Sequence, residues 1–432
     1  MPGTSSEQPG RPLNSLGSMW VAATRMRALR LAFALLVVVA ISVAVSSALQ
    51  APASSASPSV QNAYSFLDHM MDRYATGTTP RLVQSFTGGV LGQQGFTDSE
   101  TYDDALMVDA YLAEGTPDGL ARAETIGSSL LLVQAHDPAH DGRIRVAYAP
   151  TPLVTGPARH GKQRVKVGLR DRTSDVGNMA WVGMALTRLY AATGNASYLN
   201  GAEAIGTWVW RHCYDPRGAG GYTGGRAANG ARIKWKSTEH NLDLYALYTM
   251  LATQSGSSGW AIDAAWARQF VTAMWDAGTG SFFVGTTTNG VTPNTSEQPE
   301  DVNSWSYLAL RDPAYQSSVD WVVKKLSVSA GGFSGVSFCL GDKTGVWFEG
   351  TAHVADALET RQGAGDAVLA NQYLSDVEFA QTNGANNNGL GIIAASKDGL
   401  SDCDGNGYDA SLHTGATAWY ILASQVVNPF VV

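Results

Sequence analysis

The sequence predicts an all-α protein in which six buried helices stand inside six amphipathic ones, an (α/α)6 toroid. Two observations carry that prediction. Twelve helical stretches follow one another without a convincing alternation of strands, and every second stretch is apolar nearly all round, as a buried helix must be. A third observation agrees: the loops that precede the apolar helices are the long, Gly-rich ones, with short β-like pieces such as "GSFFVG" and "GRIRVAYAP".

The chain has 432 residues, 44% hydrophobic and 15% charged, enough for a large core in one or two domains. Its start reads differently from the rest. "MRALRLAFALLVVVAISVAVSSALQAPA" (26–53) joins a basic beginning to an apolar run from Leu31 to about Val45 and then to small residues, the pattern of a secretory signal. Read from Met1, the same run would serve as a membrane anchor. Residues 1–53 are therefore expected to be a signal or anchor with a flexible spacer, cleaved between about Leu49 and Ser54 if a signal. Residues 54–432 are expected to form the barrel, outside the cell or at its surface, as a monomer. Within residues 1–50, Arg11, Arg25, Arg27 and Arg30 face only Glu7, so a formal charge of −8 leaves the remainder at about −11. That balance argues against a nucleic-acid partner.

In order, helical periodicity is expected at 58–76, 98–114, 117–135, 174–193, 197–213, 238–253, 260–276, 300–310, 314–327, 347–361, 364–382 and 415–425. The even members read as inner helices ("MAWVGMALTRLY", "HNLDLYALYTML"). The odd ones carry a polar stripe ("GWAIDAAWARQFVTAMW"). Ser237 or Thr238 can cap the sixth.

The inner helices open on polar residues: "ETYDDAL" (Asp103, Asp104), "RTSDVGNMAW" (Asp175), "KSTEHNLDLY" (Glu239, His240, Asn241, Asp243), "PEDVNSW" (Asp301, Trp305), "GVWFEGTA" (Trp347, Glu349) and "SLHTGATAW" (His413). If the inner helices run parallel, these groups converge at one mouth. Capping is the plainer account of Asp103, Asp175 and Asp301 taken singly, because a carboxylate in a first turn gains about 0.3–1 kcal/mol from the helix dipole. Capping does not ask for His240 beside Glu239, nor for tryptophan beside the acids.

With these starts the chain resembles the six-hairpin glycosidase superfamily over about residues 58–427. The resemblance implies a sugar cleft at the loop end of the inner helices and hydrolysis of glycosidic bonds, commonly with inversion. Such chemistry needs one protonated acid and one carboxylate. Glu239 and Glu349 are the first candidates, for their reach and their aromatic neighbours, with Asp104 or Asp175 as replacements. Asp103, His240, Asn241, Asp243, Asp301 and His413 are expected to bind substrate, and Trp305 and Trp347 to stack on sugar rings. The partner is a poly- or oligosaccharide. Two alternatives use the same toroid: a polysaccharide lyase, and a glycan-binding protein without catalysis.

Three further features bear on partners. Arg143, Arg145, Arg159, Lys162, Arg164, Lys166, Arg170 and Arg172 make 142–172 a basic insert, suited to an anionic glycan or simply solvated. Asp402, Asp404 and Asn406 have calcium-loop spacing, but His413 holds the place of the closing glutamate; a plain turn is the alternative, and no cofactor is expected otherwise. Cys213, Cys339 and Cys403 allow at most one disulfide, best Cys339–Cys403; equally, all three could be small buried side chains.

Overall fold

The computed structural model describes residues 57–156, 166–403 and 405–432. The leader, Arg159, Lys162, Arg164 and Asp404 lie outside these. Ser57–Val432 is one compact unit. Among the described residues its twelve long helices are α1 (Pro58–Asp72), α2 (Thr101–Glu114), α3 (Pro117–Ala135), α4 (Val176–Thr193), α5 (Ala196–Cys213), α6 (Thr238–Ser255), α7 (Ser258–Ala273), α8 (Glu300–Leu310), α9 (Ser317–Leu326), α10 (Phe348–Arg361), α11 (Asp366–Asn383) and α12 (Thr414–Ser424). Every expected helix is present.

The even helices close a ring. Each packs on the next even helix, and α12 returns to α2; each odd helix from α3 to α11 packs outside the one before it, and α1 outside α12. The alternation of apolar and amphipathic stretches is thus the alternation of inner and outer walls. The inner-to-outer turns are tight: α2, α4 and α6 each end on a glycine with φ near +70° (Gly115, Gly194, Gly256), one residue before the next cap. Only glycine adopts that conformation without strain. The outer-to-inner connections are long and carry short antiparallel strand pairs at the opposite rim.

The same hydrogen bonds recur at that rim. A helix leaves its first N–H groups without an internal partner. Here the first N–H of each inner helix donates to the loop before the next inner helix: Thr101 to Val146 O, Val176 to Gly224 O, Thr238 to Val284 O, Glu300 to Phe338 O, Phe348 to Ala394 O and Thr414 to Ser85 O, at 2.9–3.2 Å. The fourth residue of an inner helix then fixes its own loop. Asp104, Asn241, Asn303, Thr351 and Thr417 accept the N–H of Val83, Tyr222, Phe282, Val336 and Ile392, at 2.7–3.1 Å. In α4 the place belongs to Met179.

Asn241 also donates to Tyr222 O and Ser237 O. Replacing it with alanine leaves the buried N–H and C=O of Tyr222 unpaired, each worth about 1–3 kcal/mol, while Ser237 O keeps the Asn241 backbone N–H. Asn241→Ala is expected to lose at least about 2 kcal/mol of stability in urea unfolding. Asn195→Ala, at an exposed cap, should lose about 1 kcal/mol. Equal losses would mean that the clamp is not a support of the rim.

Candidate active site

The second residues of the inner helices are Tyr102, Gly177, Glu239, Asp301, Glu349 and Gly415. Four carry polar groups into the mouth, and the two glycines make room for imidazoles. A Cβ on Gly415 would stand 2.4 Å from Asp103 Oδ1 and 3.0 Å from the His413 ring. One on Gly177 would stand 2.6 Å from the His240 ring.

Glu349 is the centre of the first cluster. The Tyr102 hydroxyl donates to its Oε1 at 2.6 Å, and the Trp419 indole donates to Tyr102 Oη at 2.8 Å. His413 Nδ1 lies 3.3 Å from Glu349 Oε2, and His413 Nε2 lies 3.2 Å from Asp103 Oδ1. His353, one turn along α10, places Nε2 3.7 Å from Glu349 Oε1 and Nδ1 3.0 Å from Glu300 Oε2. Phe86 stacks flat on His413 at 4.1 Å.

Electrostatics follow from these partners. Burial would raise the Glu349 carboxyl, but the nearby His353 and His413 imidazoles and the Tyr102 hydroxyl hold it below the usual range. Burial would lower both imidazoles, yet Glu300 and Glu349 push His353 up to about 9, and Asp103 and Glu349 push His413 up to about 9. These partners favour an ionised Glu349 and push both imidazoles toward the charged form, while His413 Nδ1 also accepts the Ala416 N–H at 3.3 Å. Glu100, just before α2, is raised to about 7 by burial and then by Asp103.

The second cluster borders a cleft of about 580 Å³, lined among others by Trp235, Glu239, His240, Asp301, Phe338 and Asn406. Asp175 caps α4 through Gly177 N–H (2.9 Å) and Asn178 N–H (3.3 Å), and it lies 3.4 Å from His240 Nε2. Glu239 lies 4.0 Å from the same nitrogen, with its side chain 30% exposed. Asp243 sits deeper, fully buried; burial, then Asp301 and Asp175, raise it well above the carboxylate range, and it faces Trp181 without closing a hydrogen bond. Tyr408 joins the two clusters: its phenol feels Glu349, Asp301 and Glu239, and its ring stacks on Trp347 at 5.3 Å. Beneath lies an aromatic floor, where Trp181 and Trp305 pack at 5.2 Å against each other and near Tyr102, Trp419 and Phe430.

Solved structures share this architecture. A D-mannose isomerase superposes with TM-score 0.61 at 11% identity, covering 86% of this chain and 99% of the other. Cellobiose 2-epimerase from Bacillus thermoamylovorans gives 0.61 at 11%, over 84% and 98%. An inactive α-1,6-mannanase variant from a Salegentibacter species, in complex with α-1,6-mannotriose, gives 0.56 at 11%, over 86% and 99%. No protein-family model matches the chain, and no curated protein matches its sequence. The fold is the six-hairpin toroid.

Within the toroid some expected site residues serve the frame instead. Both oxygens of Asp104 are taken, by Val83 N–H and by the Ser99 hydroxyl at 2.7 Å, and burial raises it to about 8. Asn241 is spent on backbone groups. Lys236, a neighbour of Glu239, turns away; its ammonium donates to the carbonyls of Asp215, Arg217 and Gly220. Trp305 and Trp347 are only 3% exposed, as floor and wall rather than open platforms. In the basic insert, Arg143 pairs with Asp141, Arg145 with Asp137 and Arg170 with Asp98. Asp402 Oδ1 accepts Asn406 N–H at 2.9 Å. The Cys339–Cys403 disulfide is formed and Cys213 is a buried thiol.

Sequence reasoning missed His353 and Tyr408, and it placed Glu300 among the acids at the mouth without giving it a role. Glu349 and His353 are four apart on one helix, a spacing that puts them on one face and was available as a signal. Tyr408 lies in a loop and gave none.

The raised histidines make stability pH-dependent. An imidazole at about 9 when folded and 6.5 unfolded contributes stability that is complete below pH 6.5 and is lost as pH rises through 9. Asp104 and Asp356, both raised to about 8, act in the same sense, since folding there favours the proton. Unfolding free energy is expected to fall between pH 7 and 9 by on the order of 1 kcal/mol per pH unit for each raised imidazole. His413→Gln should flatten that slope in denaturant titrations; an unchanged slope would mean that His413 is neutral.

Proposed function

We propose that this chain is a glycoside hydrolase, exported or surface-held, with Glu349 as the base and Glu239 as the acid. One observation carries the reading: a buried carboxylate hydrogen-bonded by a tyrosine and set 3.7 and 3.3 Å from two imidazoles, on the rim that also bears the partly exposed Glu239 of the cleft. An ionised carboxylate in that setting can take a proton from water, and Glu239, next to His240 and Trp235, can protonate the departing oxygen. The toroid of a mannanase bound to mannotriose supports a sugar substrate. Export is supported by the leader and by the disulfide, since disulfides persist in oxidising compartments. The acidic charge balance argues against a nucleic-acid partner.

A second reading has its own support. His413 between Asp103 and Glu349 is a proton carrier beside a base, which suits isomerisation or epimerisation of a sugar, the activities named for two of the similar structures. The lyase alternative has less, because Arg143, Arg145 and Arg170 are already paired within the protein.

Product analysis separates these: hydrolysis creates new reducing ends, whereas isomerisation conserves mass. On a glycan that the wild type cleaves, Glu239→Gln and Glu349→Gln are each expected to lower turnover by about 10²–10⁴-fold with binding retained. Azide should partly rescue Glu349→Gln, and good leaving groups should spare Glu239→Gln. Near-normal turnover in both variants would exclude this assignment.

A further inference from the structure

The cleft beside Glu239 and His240 does not end at the barrel mouth. A second cavity of about 320 Å³ adjoins it, and both are lined by Pro299 and Phe338. This second cavity lies between the loop that follows Phe338 and the loop that carries Asp402 and Cys403. We propose that the two form one groove, and that its occupant is a glycan chain longer than a disaccharide. The inference rests on the carbohydrate reading above and adds the length of the substrate to it.

Three observations carry it. The first is size: each cavity by itself falls in or near the range of about 300–1,000 Å³ in which one small ligand is bound, so a single sugar would leave one of them empty. The second is rigidity. The Cys339–Cys403 disulfide joins the two loops, Ser401 N–H donates to Asp342 Oδ2 at 3.0 Å, and Phe338 packs on Trp347 at 4.8 Å and on Tyr408 at 6.0 Å. A wall tied at those points is a standing groove rather than a passing gap.

The third is chemistry. The groove has apolar side chains in each part, Trp235 in the first cavity, Phe338 shared by both and Leu340 in the second, where it is 52% exposed. Between them stand amide and hydroxyl groups such as Gln298, Ser296 and Thr287. Sugar rings present apolar faces and polar edges, and that alternation matches them. In addition, Nδ1 of His240 is buried with no hydrogen-bond partner, on a residue that lines the cleft, so a sugar hydroxyl there would satisfy it.

The test is the dependence of rate on chain length, with oligosaccharides of about two to six units cut from a glycan that the wild type cleaves. kcat/KM is expected to rise at least about tenfold from the disaccharide to the length that fills both cavities. Leu340→Arg, at an exposed position in the second cavity, should remove that rise and leave the disaccharide rate unchanged, which also shows that the variant is folded. A wild-type kcat/KM independent of length, or a variant slowed equally at every length, would overturn the groove while leaving the hydrolase reading in place. Absence of binding and turnover for every length across a glycan panel would remove both.

Discussion

Six backbone hydrogen bonds close the rim of this toroid, each running from the first N–H of an inner helix to the loop that precedes the next. A buried N–H without a partner costs about 1–3 kcal/mol, so six helix starts facing a common mouth are tolerable only if the neighbouring loops cover them. Covering them fixes where each loop runs, and the loops are what shape the cleft. The polar fourth residues of five inner helices complete the frame by gripping their own loops two residues earlier. The mouth is therefore built by the same contacts that close the ring.

That frame lets the second positions of the helices carry chemistry. With first N–H groups and loop backbones already paired, Glu239 and Glu349 are not needed as caps. Asp301 and Asp175 do accept first-turn N–H groups, Asp301 from Val302 at 2.6 Å and Asp175 from Gly177 while touching His240. Glu349 shows what a buried carboxylate requires: its charge survives burial because His353, His413 and Tyr102 surround it, and the imidazoles in turn are held charged by Glu300 and Asp103. No member of this network would keep its state alone. Asp243 lacks such partners and is pushed toward the neutral form.

The chain's acids thus divide by surroundings rather than by position in the sequence. Asp103 and Asp104 are adjacent, yet one meets an imidazole at the mouth and the other holds a backbone N–H and a serine inside the frame. Helix geometry is the reason: consecutive residues differ in direction by about 100°, so neighbours face different environments.

Much of the fold was determined by the sequence alone. Apolar and amphipathic stretches alternate through twelve helices, and burial of the apolar faces permits few arrangements besides a ring of inner helices inside outer ones. Long loops before the inner helices and acids at their starts placed the mouth on one rim, and Glu239, Glu349, Asp103, Asp175 and His413 do meet there. What the tertiary structure decided is which of those polar residues support the frame and which face one another. Asp104 and Asn241 read as site residues because a clamp and a ligand use the same side chains. Tyr408 was silent because its partners lie on other helices and loops, far away in the chain, whereas His353 was marked only by its spacing of four from Glu349. Ionisation is set by such long-range neighbours and by exclusion of water, and neither has a local signature in the sequence.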